Sequence, residues 1–425
     1  MKELPKGWSY SRLDEVATII RGVTYSSKDV LQNVSPDAVM LLRATNIQNG
    51  VLDFLDPVWI PRSKVKSQQM LIEGDVVIAS SSGSIQIVGK SASVKGHIDA
   101  TFGAFCTTVR ATSIEPSYLS HYLQDPTLRQ KWSDLAGGSN INNLKTTDIA
   151  ATLIPVPPLY EQKRIITALD EHLSRLDKAL TKLDHADSQT HALRSSILNE
   201  ILTRRVPDFG TGTKRVSKDV NGTLVRLADL AMGGLFCDGD WVESKDQDPN
   251  GTIRLLQLAD IGDGDFKNRS SRWLRPDQAE SLGVTYVEKG DILIARMPDP
   301  LGRACIVPKL ATPAITAVDV AILRIKRDDV DIRWLMWWLN SPETRSIVAS
   351  LASGTTRQRI TRKNLEALEL HLPPLDQQKQ IVEAMEDHLS RLDVTRTSIA
   401  SQRASIQTLR RSLLNKAFNG ELGTD

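Results

Sequence analysis

The hexapeptide HLSRLD occurs twice, at His172 to Asp177 and at His388 to Asp393. Histidine, serine and aspartate are the residue types of nucleophilic catalysis, so a repeated active site is the first idea to test. Set on a helix, however, these side chains point in several directions, and a lone helical histidine is most often a surface polar residue. A second tempting stretch is GSIQIVGKS, Gly83 to Ser91, which approaches a phosphate-binding loop. That loop requires G-x-x-x-x-G-K-S/T so that successive backbone N–H groups wrap the phosphates. Five residues rather than four separate Gly83 from Gly89. An enzyme using Lys90 and Ser91 on a nucleotide is thus one alternative, and a coiled-coil scaffold with no DNA role is another. There is no GxSxG, HExxH or GxGxxG, and no Asn/Asp-Pro-Pro-Tyr/Phe tetrapeptide of the kind that holds a target adenine in amino-methyltransferases. No catalytic residue and no metal site is expected; the chain should hold a position and leave chemistry to others.

The polar residues best placed for recognition lie in two loops, GGSNINNLKTTDI (Gly137 to Ile149) and SGTTRQRITRKNL (Ser353 to Leu365). They align at one offset, 354 − 138 = 216, yet their contents differ: Asn140, Asn142, Asn143 and Lys145 against Arg357, Gln358, Arg359, Arg362 and Lys363. Arginine and lysine suit guanine edges and phosphates, whereas asparagine and glutamine suit adenine edges. One scaffold with different readers is what two different DNA half-sites would require. Candidate contacts also follow the first strands, at Arg43, Asn46, Gln257 and Asp260, and the second matched strands, at Lys90 and Arg296.

The elements that position these loops come in two copies. PPLYEQKRIITALDEHLSRLD, from Pro157, and PPLDQQKQIVEAMEDHLSRLD, from Pro373, agree at 13 of 21 positions without a gap, and the offset is 373 − 157 = 216. LSHYLQDP matches LMWWLNSP, and EGDVVIAS matches KGDILIAR, at the same offset; nearer the start SRLDEVA and VRLADLA lie at 226 − 12 = 214. Each copy begins with short β-like runs bounded by Gly, Pro, Asn and Asp, such as AVMLLRATNI, GDVVIAS, GTIRLLQLADI and GDILIAR. Helical stretches near Tyr118 to Leu123 and Trp334 to Leu339 make each a mixed α and β module.

The period then changes. After Pro157-Pro158, apolar residues fall at Ile165, Leu169, Leu173, Leu176, Leu180 and Leu183, keeping one stripe on a helix. After Pro373-Pro374 the stripe is Ile381, Met385, Leu389, Leu392, Ile399, Ile406 and Leu413, with Arg396 and Arg403 between. No Gly or Pro interrupts Leu159 to Arg205 or Leu375 to Asn419, so each can run as one helix on the order of 65 to 70 Å long. A narrow stripe on so long a helix needs cover, and its twin is the obvious partner. Arg175 and Arg391 sit two residues before Asp177 and Asp393 and cannot pair with them on one face, which points His172, Arg175, Asp177, His388, Arg391 and Asp393 toward cross-helix or partner contacts. The expected organisation is a globular domain over 1–156, a helix over 157–206, a linker and second domain over 207–372, and a second helix over 373–425.

Composition agrees with that plan. The 425 residues are 40% hydrophobic and 24% charged, ordinary for a globular chain, and two or more domains are expected at this length. No apolar run approaches a bilayer span and the N-terminus has no signal-like apolar core, so a cytoplasmic protein is the default expectation. Three scattered cysteines, none in CxxC spacing, fit a reducing compartment. A net charge of +2 neither supports nor excludes DNA, so binding must come from local patches.

Two variable domains, each followed by a helix opening with PPL-x-x-Q-K-x-I, HLSRLD twice, and Ser196-Ile197-Leu198-Asn199 with its counterpart Ser412-Leu413-Leu414-Asn415, together resemble the specificity subunits of type I restriction-modification enzymes. The resemblance covers essentially the whole chain. It implies an α+β fold with two target recognition domains, each reading half of a bipartite site in double-stranded DNA, and an antiparallel coiled coil that sets the gap between half-sites. It further implies two modification subunits docked on the helices, carrying adenine methyltransferase chemistry with S-adenosylmethionine, and restriction subunits using ATP and Mg. No cofactor is expected in this chain itself.

Overall fold

The computed structural model describes residues 4–48, 50–137, 141–203, 222–298, 300–354 and 357–422. They form two compact units, residues 1–184 with 400–425, and residues 185–399. Each unit therefore takes in a globular domain, the beginning of one long helix and the end of the other. Asn140 and most of the expected linker after Pro207 lie outside the described residues.

In the first unit a four-stranded antiparallel sheet runs in the order Ala17–Arg21, Cys106–Ala111, Val76–Ala79, Ser91–Ser93. A three-stranded sheet places Ala38–Leu42 between a parallel Ala100–Phe102 and an antiparallel Val58–Pro61. The second unit repeats both: Leu235–Asp238, Val320–Arg324, Ile292–Ala295, Ala304–Ile306, and Ala314–Thr316, Ile253–Leu256, Arg272–Leu274. Helices Pro116–Leu123, Pro126–Leu135 and Thr146–Ala150 correspond to Ile332–Leu339, Pro342–Ser350 and Arg362–Glu366. The mixed α and β modules expected from the sequence are thus present twice.

The repeated Gly-Asp before each central strand has a local cause. Gly74 and Gly290 adopt φ of 87° and 95°, a conformation that disfavours any side chain. The buried Asp75 then accepts hydrogen bonds from Ile72 N–H at 3.0 Å and from Arg110 Nε and Nη2 at 2.7 Å each. Asp291 does the same for Glu288 N–H and for Arg324 Nε and Nη2 at 2.7, 2.8 and 2.8 Å. Each turn launches a strand, VVIA or ILIA, that is buried throughout, and a continuous apolar run is what a strand covered on both faces requires.

The long helices span Leu159–Thr203 and Leu375–Phe418. In the first unit Asp177 pairs with Arg410 at 2.6 Å and Asp184 with Arg403 at 2.7 Å. One number rises as the other falls, so the helices run antiparallel. The stripe is not covered by the twin alone. Ile165, Leu169 and Leu173 enter the core of the globular domain with Trp8, Leu13, Tyr118 and Ile154, and Ile381, Met385 and Leu389 do so with Trp334 and Leu370. Further along, Leu176, Leu180, Leu183, Leu392, Ile406 and Leu413 are only half-buried. The same period thus serves a domain core at one end and a two-helix seam along the rest.

Candidate nucleic-acid interface

Within each unit the fold brings the polar loop before the long helix against the turn after the central strand. In the first, Asn142–Asn143 pairs antiparallel with Ser81–Ser82. Asn142 Nδ2 donates to the carbonyls of Ser82 and Gly83 at 3.4 and 3.3 Å, and Leu144 N–H donates to Ser80 O at 2.8 Å. In the second, Ile360 N–H donates to Arg296 O, and Arg296 Nε donates back to Ile360 O, each at 3.1 Å. Arg359 Nη2 donates to Val318 O at 3.2 Å and sits 3.4 Å from Asp319; Arg362 Nη1 donates to Phe236 O at 3.0 Å. Two stretches far apart in sequence thus become one surface in each unit.

The side chains divide into those that face solvent and those that hold the surface together. Lys145, Arg357, Gln358 and Lys363 are exposed, as is Asn143, whose amide oxygen accepts from Ser81 Oγ. Lys90, Asn142, Gln257 and Arg359 are half-buried. Three expected base contacts are buried and already bonded within the chain. Asn46, 4% exposed, accepts from Arg43 N–H and donates to Asp53 O, both at 2.8 Å, closing its own loop. Asp260 is fully buried, taking bonds from Gln257, Arg269 and Ser270 N–H. Arg296, 5% exposed, spans Ile360 O, Val318 O and the carboxylate of Asp238. Burial pulls its pKa down, and nearby Asp238 opposes that shift. Arg43 is tied to Asp56. These side chains are engaged in shaping the surface.

The residues near Gly89 do not form a phosphate-binding loop. Lys90 is followed by the strand Ser91–Ser93, paired with Val76–Ile78, where a phosphate loop would need a helix N-terminus. The thiols of Cys106 and Cys305 are buried, which pushes each up to about 12 and makes them inert. Among the described residues no group of three His, Cys, Asp or Glu side chains could hold a metal, and no helix is long and apolar enough to cross a membrane.

On the helices, HLSRLD resolves into separate partners. His172, Arg175 and Arg391 are exposed and His388 is half-buried. Arg175 pairs with Glu171 and Arg391 with Asp387, each one turn back. Asp177 and Asp393 also reach across, to Arg410 at 2.6 Å and to Arg194 at 4.0 Å, Asp393 lying 3.9 Å from Arg396 on its own helix as well. The two cross-helix pairs are the same pair in two copies, since 177 + 216 = 393 and 194 + 216 = 410.

Two features were passed over in the sequence. The glutamine of each PPL-x-x-Q start is buried: Gln162 accepts from Glu115 N–H and donates to Pro157 O at 2.9 Å each, while Gln378 accepts from Asp331 N–H at 2.7 Å and donates to Asp329 O and Pro373 O at 2.9 and 2.7 Å. Its recurrence in both copies was the available signal. The other is KNRSSRWLR, Lys267 to Arg275, whose four basic residues in nine have no counterpart in the first half.

Comparison with known proteins bears on this plan of two domains and two helices. Residues 5–184 and 241–401 match the family model described as type I restriction modification DNA specificity domain. The chain is 31% identical to the StySPI specificity subunit of Salmonella potsdam and 30% identical to the EcoKI specificity subunit of Escherichia coli K12, over 99% of this chain and 90% of each relative. A structure titled for complex assembly and conformational transition of the type I R-M system superposes with a TM-score of 0.73 at 22% identity, covering 99% of this chain and 100% of that one. The HsdS subunit from Thermoanaerobacter tengcongensis gives 0.51 at 22% identity, covering 99% of both chains. With two matched regions and full-length relatives, the chain belongs to the family of DNA sequence-specificity subunits of type I restriction-modification systems.

Proposed function

We propose that each globular domain reads one half of a bipartite, asymmetric target in double-stranded DNA, and that the paired long helices set the number of unread base pairs between the halves. The observation that carries this is one scaffold with two loop chemistries: Asn142, Asn143 and Lys145 in the first unit occupy the places of Gln358, Arg359 and Thr361 in the second, at the offset of 216. Direct readout in the major groove depends on donor and acceptor identity, so different side chains on equal frames select different bases. The chain is non-catalytic in this reading. Two modification subunits, binding S-adenosylmethionine, dock on the two repeated helix surfaces around His172 and Arg175 and around His388 and Arg391. Restriction subunits, with ATP and Mg, complete the enzyme, and the assembly acts in the cytoplasm on foreign DNA.

The test exchanges residues 1–156 for the corresponding domain of a relative with a different target, co-expresses the chimera with the modification subunit, and maps N6-methyladenine across the genome. The expected result is a motif altered in one half only. An unaltered motif, or one altered in both halves, overturns the reading.

A further inference from the structure

The buried residue that closes the loop after the first strand of each three-stranded sheet is matched between units, Asn46 and Asp260, at 260 − 46 = 214. Each also accepts, on its backbone carbonyl, a 2.7 Å bond from the far side of its loop, from Asp53 N–H and from Lys267 N–H. What the two closed loops display is opposite in kind. The first exposes Val51, Phe54 and Leu55, the last at 90%; the second exposes Lys267, Arg269 and Arg272. Resting on the DNA-reading role proposed above, we infer that Arg269 is a specificity-determining residue of the second unit, contacting a guanine edge in its half-site.

The loop is built to fix where Arg269 begins. The Asp260 carboxylate takes hydrogen bonds from Arg269 N–H at 2.7 Å and Ser270 N–H at 2.9 Å, and a further one from Ser270 Oγ. Arg254, itself 3.0 Å from Asp260, donates to Ser270 O at 2.9 Å and to the side chain of Asn268. Asn268 stands at φ 53°, the one non-glycine residue with positive φ among the described residues. Such a conformation costs free energy and persists where the surroundings over-determine it, often at binding sites. The neighbouring cations are already engaged, Lys267 with Asp265, Arg272 with Gln247 and Arg275 with Asp248 and Asp277. The guanidinium of Arg269 is exposed and makes no hydrogen bond or ion pair with the described residues. A phosphate contact needs only charge nearby, whereas a bidentate contact to guanine O6 and N7 needs a guanidinium held in register. A backbone N–H pinned at Arg269 and again at Ser270 supplies that register. Asp260 is accordingly a positioning residue.

The experiment uses the specificity chain with its modification subunits and measures affinity for a library of duplexes carrying every single-base change in the target. Arg269→Ala should lower affinity for the native target by about 5- to 150-fold and make one position of the second half-site indifferent to base. Arg269→Lys should keep affinity for unrelated DNA but show the same indifference, because a point charge cannot replace the fork. The thermal midpoint should not move in either variant, since the side chain is exposed. Unchanged affinity, or an equal loss on every duplex, overturns the inference. A chimera exchanging the whole second domain separates the two levels: a changed motif with an unaffected Arg269→Ala leaves the DNA-reading role standing alone, and an unchanged motif removes both.

Discussion

Replacing Gln378 isolates the device that joins a long helix to its globular domain. The side chain is fully buried and makes three hydrogen bonds, accepting from Asp331 N–H and donating to the carbonyls of Asp329 and Pro373. Methionine has nearly the same length and volume but cannot make any of them. A hydrogen bond of this kind contributes about 1 kcal/mol net, so losing all three in Gln378→Met should destabilise the second unit by about 3 kcal/mol. For a unit of roughly this size, 1 kcal/mol corresponds to about 2–4 °C, and the midpoint of its unfolding should fall by about 6–12 °C. Differential scanning calorimetry reads this directly, with hydrogen exchange at Asp331 N–H as the local report. Lys379→Met, at the exposed neighbouring position, should stay within about 0.5 kcal/mol of the parent protein. If the two methionine variants unfold together, the hydrogen bonds of Gln378 do not hold this junction.

A double-mutant cycle on Asp177 and Arg410 should give a coupling of about 0.5 kcal/mol that fades at high salt, because the carboxylate is 57% exposed. The counterpart pair, Asp393 and Arg194 at 4.0 Å, should give less; a larger value there would refute the distance argument. His121 makes stability depend on pH in a definite direction. Burial lowers its pKa, Arg410 and Lys95 lower it further, and the 2.9 Å contact with Asp170 opposes them. The unfolded chain therefore takes up this proton first as pH falls, so the first unit should be most stable above the ordinary histidine pKa. It should lose stability as pH falls through that value toward the folded-state pKa. His121→Gln should flatten this part of the curve in urea melts taken at several pH values, and an unchanged slope would exclude His121 as its source.

Some of the fold was legible because it is local. Pro-Pro stops, a stripe repeating at the helical period and an uninterrupted run of helix formers placed the starts of both long helices, at Leu159 and Leu375, and the second ends at Phe418, beside the end of its uninterrupted run at Asn419 but short of the 425 drawn for its region. Buried runs such as VVIA and ILIA, entered through Gly-Asp, marked the central strands in both copies. The helix stripe misled in one respect. An apolar stripe states that something must cover it but not what, and the domain core takes Ile165, Leu169 and Leu173 before the twin helix takes over.

The candidate site was legible in its loops and not in its side chains. Asn46, Asp260 and Arg296 had the residue types of base readers, yet the chain folds back over each and engages its polar atoms. Polar identity is a property of the residue, whereas availability depends on which distant backbone groups reach it: Asp260 is met by Arg269 and Ser270, and Arg296 by Ile360, 64 positions along. The sequence by itself determined the duplication, the element types and the family, because repetition and periodicity are written along the chain. Only the tertiary structure decided which polar groups face outward, because a buried carboxylate must be satisfied wherever the fold finds it partners.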